Sequence, residues 1–169
     1  MIMIDTPTDY EDNNLEFAFC KCIPEPLYMY AVNGEYKETL FEFWKGYNVF
    51  PIRVIQTKVI EINDLDDDEK RENYRIDVIN SSEELNSLLN EVGWKLFEGN
   101  LYITNSFKEI KYVMVEEEFI MGKEFILRPV FELGENETLT EVFYDGLMFT
   151  LGTNDKSLFS KDKVREVFM

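Results

Sequence analysis

The spacing of apolar and polar residues predicts that β-strands make up most of this chain. Between residues 15 and 23, Leu15, Phe17 and Phe19 alternate with polar or smaller residues, which is the period-two pattern of a strand. Comparable runs predict further strands at 27–32, 49–62, 74–79, 94–97, 101–104, 110–121, 124–133, 139–144 and 147–151. The run at 49–62 is apolar on both strand faces, which is usual for a central strand. Short turn sequences such as Asp145-Gly146 separate several of these runs and favour hairpins. We therefore expect a largely antiparallel sheet of about eight to ten strands with several hairpins.

Two or three segments show helical periodicity instead. Residues 36–45 place Leu40 and Trp44 on one face, and Gly46 stands where a glycine commonly follows the end of a helix. A second helix is predicted after the capping box of Ser81 and Glu84, and its apolar face comprises Leu85, Leu88, Leu89 and Val92. A third is expected to begin near residue 160. Because helices and strands do not alternate regularly, the pattern predicts an α+β fold with segregated helices.

The composition supports one folded domain. The chain has 169 residues, of which 45% are hydrophobic and 15% aromatic, and this is enough apolar material for a sizeable core. Residues 1–14 differ from the rest, since they contain four acidic residues and no basic one. We therefore predict a loosely ordered acidic arm at 1–14 and a single α+β domain at 15–169.

The absence of histidine narrows the possible functions most. With no histidine in the sequence, histidine-based catalytic triads, haem ligation by histidine and histidine zinc ligands are excluded. The sequence also contains neither a glycine-rich phosphate loop nor the glycine–serine elbow of hydrolases. We therefore expect no catalytic residues, no metal ligands and no cofactor.

The charge points to the kind of partner. Seventeen basic and 34 acidic residues give a net charge of −17, which repels nucleic-acid phosphates and anionic membrane surfaces. A protein partner with a basic surface is favoured instead, because opposite charges speed the encounter. The sequence has no apolar run of membrane-spanning length, and its first residues lack a signal-peptide pattern, so we expect a cytoplasmic protein.

Two smaller patterns have both structural and chemical interpretations. Cys20 and Cys22 lie two apart on a predicted strand, where a redox pair or half of a metal site is conceivable, but buried reduced thiols are the favoured interpretation. Glu116, Glu117 and Glu118 fall within a predicted hairpin. Paired carboxylates can serve a metal-assisted or glycoside-cleaving enzyme, yet a charged sheet edge that prevents aggregation is the favoured role.

Three segments, 5–16, 61–69 and 132–155, contain acidic residues and no basic ones. The central segment has calcium-loop spacing at Asp64, Asp66 and Asp68, but it lacks the glycine and the final glutamate that such a loop needs. The three segments are either solvated loops or patches that imitate the phosphates of a nucleic acid. From them we select as candidate partner-binding residues Asp64, Asp66, Asp67, Asp68, Glu69, Glu135 and Glu137.

The function expected from the sequence is therefore non-enzymatic. We predict a small acidic inhibitor, of the immunity-protein, antitoxin or phage-type defence-blocker class, that occludes a basic or nucleic-acid-binding site on a partner protein. Two alternatives remain open. One is an enzyme that uses carboxylates or a divalent metal, and the other is a structural or assembly subunit, for example of a virion, with an oligomeric state that the sequence does not indicate.

Overall fold

A computed structural model describes residues 2–6, 20–22, 27–34, 36–57, 74–92, 100–119, 122–142 and 148–169 of the chain. In chain order, the strands are β1 (Met3–Asp5), β2 (Cys20–Cys22), β3 (Tyr28–Asn33), β4 (Ile52–Thr57), β5 (Tyr74–Ile79), β6 (Leu101–Thr104), β7 (Lys111–Phe119), β8 (Gly122–Leu133), β9 (Thr138–Val142) and β10 (Met148–Thr153). The helices are α1 (Tyr36–Tyr47), α2 (Ser82–Val92) and α3 (Lys161–Glu166), and one 3-10 turn covers Lys156–Leu158.

The strands form two sheets. Seven strands make the larger sheet in the order β1-β3-β10-β9-β6-β4-β5, and every neighbouring pair in it is antiparallel. The smaller sheet has the order β2-β8-β7, in which β8 pairs antiparallel with β7 and parallel with β2. The predicted α+β class with a large antiparallel sheet is confirmed. The prediction treated the strands as one sheet, whereas the β7–β8 hairpin leaves it and packs on its face.

The helices cover one face of the larger sheet. Phe43 and Trp44 of α1 are fully buried there, and their rings contact each other edge to face at 5.5 Å. The apolar face of α2 predicted from the sequence is buried as expected. Its residues are three or four positions apart, so they lie on one side of the helix, and that side packs against the sheet. This main core comprises Ile4, Tyr30, Val32, Leu40, Phe43, Trp44, Ile52, Val54, Ile79, Leu85, Leu88, Leu89, Val92, Leu101, Ile103, Val142, Phe149, Leu151, Leu158 and Val164.

The smaller sheet covers part of the opposite face. Phe131 of β8 packs on Tyr102 of β6 with ring centroids 5.3 Å apart, and Leu133, Leu139 and Ile55 complete this second core. Burial on both faces explains why β4 is apolar at consecutive positions, as the sequence pattern predicted for a central strand.

The end of α1 differs from the prediction at Gly46. The helix continues to Tyr47, and Asn48 takes the left-handed conformation (φ 50°) while its N–H donates to the Trp44 carbonyl at 3.0 Å. Gly46 is needed for a different reason, because a Cβ atom there would collide with the backbone carbonyl oxygen of Val167. The glycine therefore lets the C-terminal segment pass close to α1.

Part of the predicted N-terminal arm is a strand. Met3–Asp5 forms β1, which pairs antiparallel with β3 and buries Ile4 against the main core. Ile2 also packs against this core, whereas Met3 between them is exposed, as the alternating faces of a strand require. Residues 7–14 of the predicted arm lie outside the described residues.

Two predicted features on strands are only partly described. The backbone of Cys20 and Cys22 forms β2, which pairs with Phe131 and Leu133 of β8, but the thiols lie outside the described side chains. Glu116 is exposed on β7, which is an edge of the smaller sheet within the described ranges. The side chains of Glu117 and Glu118 are not among those described.

Candidate protein-binding surface

The predicted partner-binding residues fall into two groups. Asp64, Asp66, Asp67, Asp68 and Glu69 lie outside the described residues. Glu135 and Glu137 lie in the turn between β8 and β9. Glu135 is exposed, whereas the Glu137 carboxylate accepts from the Gly134 N–H at 2.5 Å and lies 3.4 Å from the Lys108 ammonium. Glu137 therefore holds the turn together, and Glu135 is the member of this pair that is open to a partner.

The acidic segment 132–155 does not form one patch. Glu132 lies 3.5 Å from the Lys111 ammonium on the neighbouring strand. Glu141 is only 2% exposed, and its carboxylate lies 3.7 Å from the Arg128 guanidinium inside the fold. The segment lacks basic residues in sequence, but other strands supply basic neighbours in space. One carboxylate of the segment is therefore buried beside an arginine, and another lies near a lysine at the surface.

The loop after β6 is fixed to the β8–β9 turn by side-chain hydrogen bonds. The Asn105 amide donates to the Asn136 carbonyl at 3.0 Å, and its oxygen accepts from the Thr138 N–H at 2.7 Å. The Ser106 N–H donates to the Thr104 hydroxyl at 3.0 Å. Asn136 has a positive φ of 59°, a conformation that asparagine tolerates better than most residues. Two loops that are far apart in sequence thus form one ordered surface.

Phe107 projects from this ordered loop. Its side chain is 52% exposed, and the Arg53 guanidinium lies over its ring at 5.4 Å from the centroid. Arg53 is itself held because its Nε donates to the Ser106 carbonyl at 2.6 Å. Burial lowers the pKa of Arg53, while the nearby Tyr112 and Glu137 act in the opposite direction. A large aromatic side chain is therefore presented to solvent in a fixed orientation.

Two exposed acidic residues belong to the same pair of hydrogen-bonded loops as Phe107. We call Arg53, Phe107, Lys108, Glu109 and Glu135 the Phe107 surface. Glu109 and Glu135 are both exposed, and within the described part of the chain neither forms an ion pair. The surface thus combines an aromatic centre with two cations, of which Lys108 lies 3.4 Å from the Glu137 carboxylate, and with two exposed carboxylates suited to a basic partner.

Comparison with known protein families, curated proteins and solved structures gave no match to this chain. In the described ranges, no group of three or more Cys, Asp or Glu side chains is placed to hold a metal ion. None of the helices described has the length and apolar character that crossing a membrane requires.

Little in the sequence indicates that Phe107 is a binding residue. Sequence reasoning selected acidic runs, because charge is visible without a structure. The signal for Phe107 is a single aromatic residue within the polar segment Asn105-Ser106-Phe107-Lys108-Glu109. Its cation partner, Arg53, is 54 positions earlier in the chain, so no local pattern could join the two.

A hydrogen-bonded network supports the β8–β9 turn from the helix side. The Tyr47 hydroxyl donates to the Asp155 carboxylate at 2.5 Å and lies 3.0 Å from the Thr138 hydroxyl. The Asp155 carboxylate also accepts from the Ser157 N–H at 2.7 Å. Burial raises the pKa of Tyr47 and its bond to Asp155 raises it further, so the hydroxyl stays protonated as a donor. Burial alone would raise the pKa of Asp155, but its bonds from Tyr47 and Ser157 outweigh this and lower it.

This network predicts a pH-dependent contribution to stability. Because the pKa of Asp155 is lower in the folded state, its stabilisation is present above the unfolded value of about 4 and is lost as pH falls through the folded value. We expect Asp155→Asn to lower the unfolding free energy at neutral pH and to flatten its decline between about pH 6 and pH 3. Urea unfolding at several pH values measures the unfolding free energy of each variant and its dependence on pH. Asp162→Asn, at an exposed position of α3, is the control, and an equal slope in wild type and Asp155→Asn would contradict the prediction.

Proposed function

We propose that the protein acts without catalysis, as an acidic inhibitor that binds a partner protein and occludes a basic site on it. The observation that carries this proposal is Phe107, a half-exposed aromatic side chain held in place by Arg53 and by an ordered loop. Aromatic residues and arginine are enriched at the centres of protein–protein interfaces, and Phe107 and Arg53 bring these two residue types together.

Preorganisation supports the role of Phe107 as an anchor. The bonds of Asn105 and Ser106 already fix the loop, so binding would not need to order it. Fully burying a phenylalanine side chain contributes about 1.5–3 kcal/mol, and Phe107, which is 52% exposed, would gain about half of this from area alone. The carboxylates of Glu109 and Glu135 would contribute mainly to the rate of encounter, since charges at the rim of an interface steer association more than they hold the complex.

Replacing Phe107 is the direct test of this proposal. Tagged protein would be used to capture its partner from lysate of the source cells, and the affinity for the purified partner would then be measured. We expect Phe107→Ala to weaken binding by about 2 kcal/mol, roughly 30-fold in Kd, because the anchor is lost. Phe159→Ala is a matched control, since Phe159 is 55% exposed next to α3 and does not belong to the Phe107 surface. Equal affinity of the Phe107→Ala variant and the wild type would overturn the proposal.

The charged rim gives a second readout of the same experiment. Glu109→Lys combined with Glu135→Lys should slow association and weaken its dependence on salt, with a smaller effect on dissociation. Glu38→Lys combined with Glu42→Lys changes the net charge equally on the exposed side of α1. If both double variants slow association to the same extent, the overall charge acts, and the Phe107 surface has no steering role of its own.

A further inference from the structure

The strand β5 leaves one edge of the larger sheet open within the described ranges. It pairs with β4 on one side, and no other described strand pairs with its opposite side. Ile76 and Val78 are 47% and 52% exposed on the face of the sheet opposite to the helices. Edge strands with exposed apolar side chains readily add a further strand, and proteins usually protect them with charges, prolines or covering loops.

The alternate residues of β5 carry opposite charges. Arg75 Nε lies 2.7 Å from the Asp77 carboxylate, and Arg75 Nη1 lies 2.9 Å from the carboxylate of Glu91 on α2. These side chains share the helix-covered face, while Ile76 between them points to the other face. The strand thus has an apolar residue at its centre, with a base one position before it and an acid one position after it.

We propose that β5 pairs antiparallel with β5 of a second copy of this chain, about a two-fold axis at Ile76. In this register Ile76 faces Ile76 of the second copy, and Arg75 faces Asp77 of the second copy on both sides of the axis. Tyr74 then lies opposite Val78 of the second copy. The resulting dimer has one continuous sheet through both subunits and a self-complementary interface, as two-fold symmetry requires.

The charge pattern selects this register over its neighbours. Residues directly opposite each other in an antiparallel pair have their side chains on the same face of the sheet. An axis between two residues would place a residue opposite its own sequence neighbour, whose side chain points to the other face. The two-fold axis must therefore lie at a residue. An axis at Arg75 would bring two arginines together, and an axis at Asp77 would bring two aspartates together. Only the axis at Ile76 places opposite charges face to face on both sides, and like charges directly opposite each other destabilise a strand pair.

The dimer is independent of the function proposed above. Arg75, Ile76 and Asp77 do not belong to the Phe107 surface, so variants of β5 test self-association and variants of Phe107 test partner binding. A strand from another protein is the competing occupant of the β5 edge. If the edge binds a strand of another protein instead of a second copy, the purified protein should be monomeric, because that other protein is then absent.

Charge reversal at β5 provides the test. Light scattering after size-exclusion chromatography should show wild-type protein moving from 20.1 kDa towards twice that mass as its concentration rises. We expect Arg75→Asp and Asp77→Arg each to weaken dimerisation about tenfold or more, because like charges then face each other twice. An equimolar mixture of the two variants should recover the dimer, since one chain then carries two acids and the other two bases.

The controls use an ion pair on another element. Arg165 Nη1 and the Asp162 carboxylate lie 2.8 Å apart on α3, and Arg165→Asp or Asp162→Arg should leave the dimer unchanged. Circular dichroism would establish that all variants are folded. The proposal is overturned if wild-type protein stays at 20.1 kDa at every concentration, if the single β5 variants dimerise like wild type, or if their mixture does not restore the dimer.

Discussion

Replacing Glu141 by alanine is expected to destabilise the protein by about 3–5 kcal/mol, because Arg128 would keep its charge in a site that excludes water. Glu141 lies on β9 and is 2% exposed, and the Arg128 side chain on β8 is 11% exposed. Their closest charged atoms, Glu141 Oε1 and Arg128 Nη1, are 3.7 Å apart. A loss of this size is comparable to much of the total stability of a small domain, which is about 5–15 kcal/mol.

The surroundings of Glu141 explain why its charge matters. Tyr102 lies directly opposite it on β6. Burial raises the pKa of the Tyr102 hydroxyl and the negative charge of Glu141 raises it further, while Arg128 acts in the opposite direction. The hydroxyl therefore remains protonated at any pH at which the protein is used. The pair sits between the two sheets, so it connects the β7–β8 hairpin with the larger sheet.

Urea unfolding of two further variants separates charge from packing. Glu141→Gln keeps the shape but removes the charge, and it should also destabilise the protein because the buried Arg128 guanidinium loses the carboxylate charge beside it. Glu141→Leu combined with Arg128→Met replaces both charges, and it should recover most or all of the stability. If Glu141→Ala and the double variant lose the same amount, the pair contributes through packed volume, and the electrostatic account is wrong.

Trp44→Ala is expected to cost about 3–5 kcal/mol, mainly because it leaves a cavity beneath α1. Trp44 is fully buried, and its ring contacts Phe43 at 5.5 Å and Tyr47 at 5.9 Å between centroids. Its indole N–H donates to the Thr140 hydroxyl on β9 at 2.9 Å. The side chain therefore joins the helix to the middle of the larger sheet by packing and by one buried hydrogen bond.

Trp44→Phe distinguishes these two contributions. It retains most of the apolar volume but removes the N–H donor, so the loss should be clearly smaller than in Trp44→Ala and should include about 1 kcal/mol for the missing hydrogen bond. Equilibrium urea unfolding with an unchanged m-value would show that the variants keep the same fold. A cost for Trp44→Ala below that of an exposed substitution such as Phe159→Ala would contradict the packing described here.

Local patterns predicted many of the elements because each pattern depends on neighbours in sequence. The four apolar residues of α2 are buried as their spacing indicated, and its Ser81 hydroxyl accepts from the Glu84 N–H at 3.3 Å, which is one half of the predicted capping box. The Glu84 carboxylate accepts from the Asn80 N–H at 2.8 Å. The third helix begins after Ser160, whose hydroxyl accepts from the Lys163 N–H. Consecutive apolar residues on β4 predicted burial on both faces, which both cores confirm through Val54 and Ile55.

Predictions failed where a distant part of the chain sets the local requirement. Gly46 was assigned to the end of α1, but Asn48 ends the helix, and the Val167 carbonyl is what excludes a side chain at 46. A glycine shows only that a Cβ is absent. Whether this absence serves a turn or a close approach depends on which segment packs against the glycine, and Val167 is 121 positions later in the sequence.

The same reason limits what acidic runs reveal about a binding surface. Segment 132–155 contains no basic residue, yet Arg128 and Lys111 are brought to Glu141 and Glu132 by strand pairing and sheet packing. The Phe107 surface depends on Arg53, which reaches the loop from another strand. By itself, the sequence determined the α+β class, most element positions, the acidic charge and the exclusion of histidine chemistry, because these follow from composition and local periodicity. Only the tertiary structure decided which charges are buried, which are exposed and which aromatic side chains are exposed to solvent, because those outcomes depend on contacts between residues far apart in the chain.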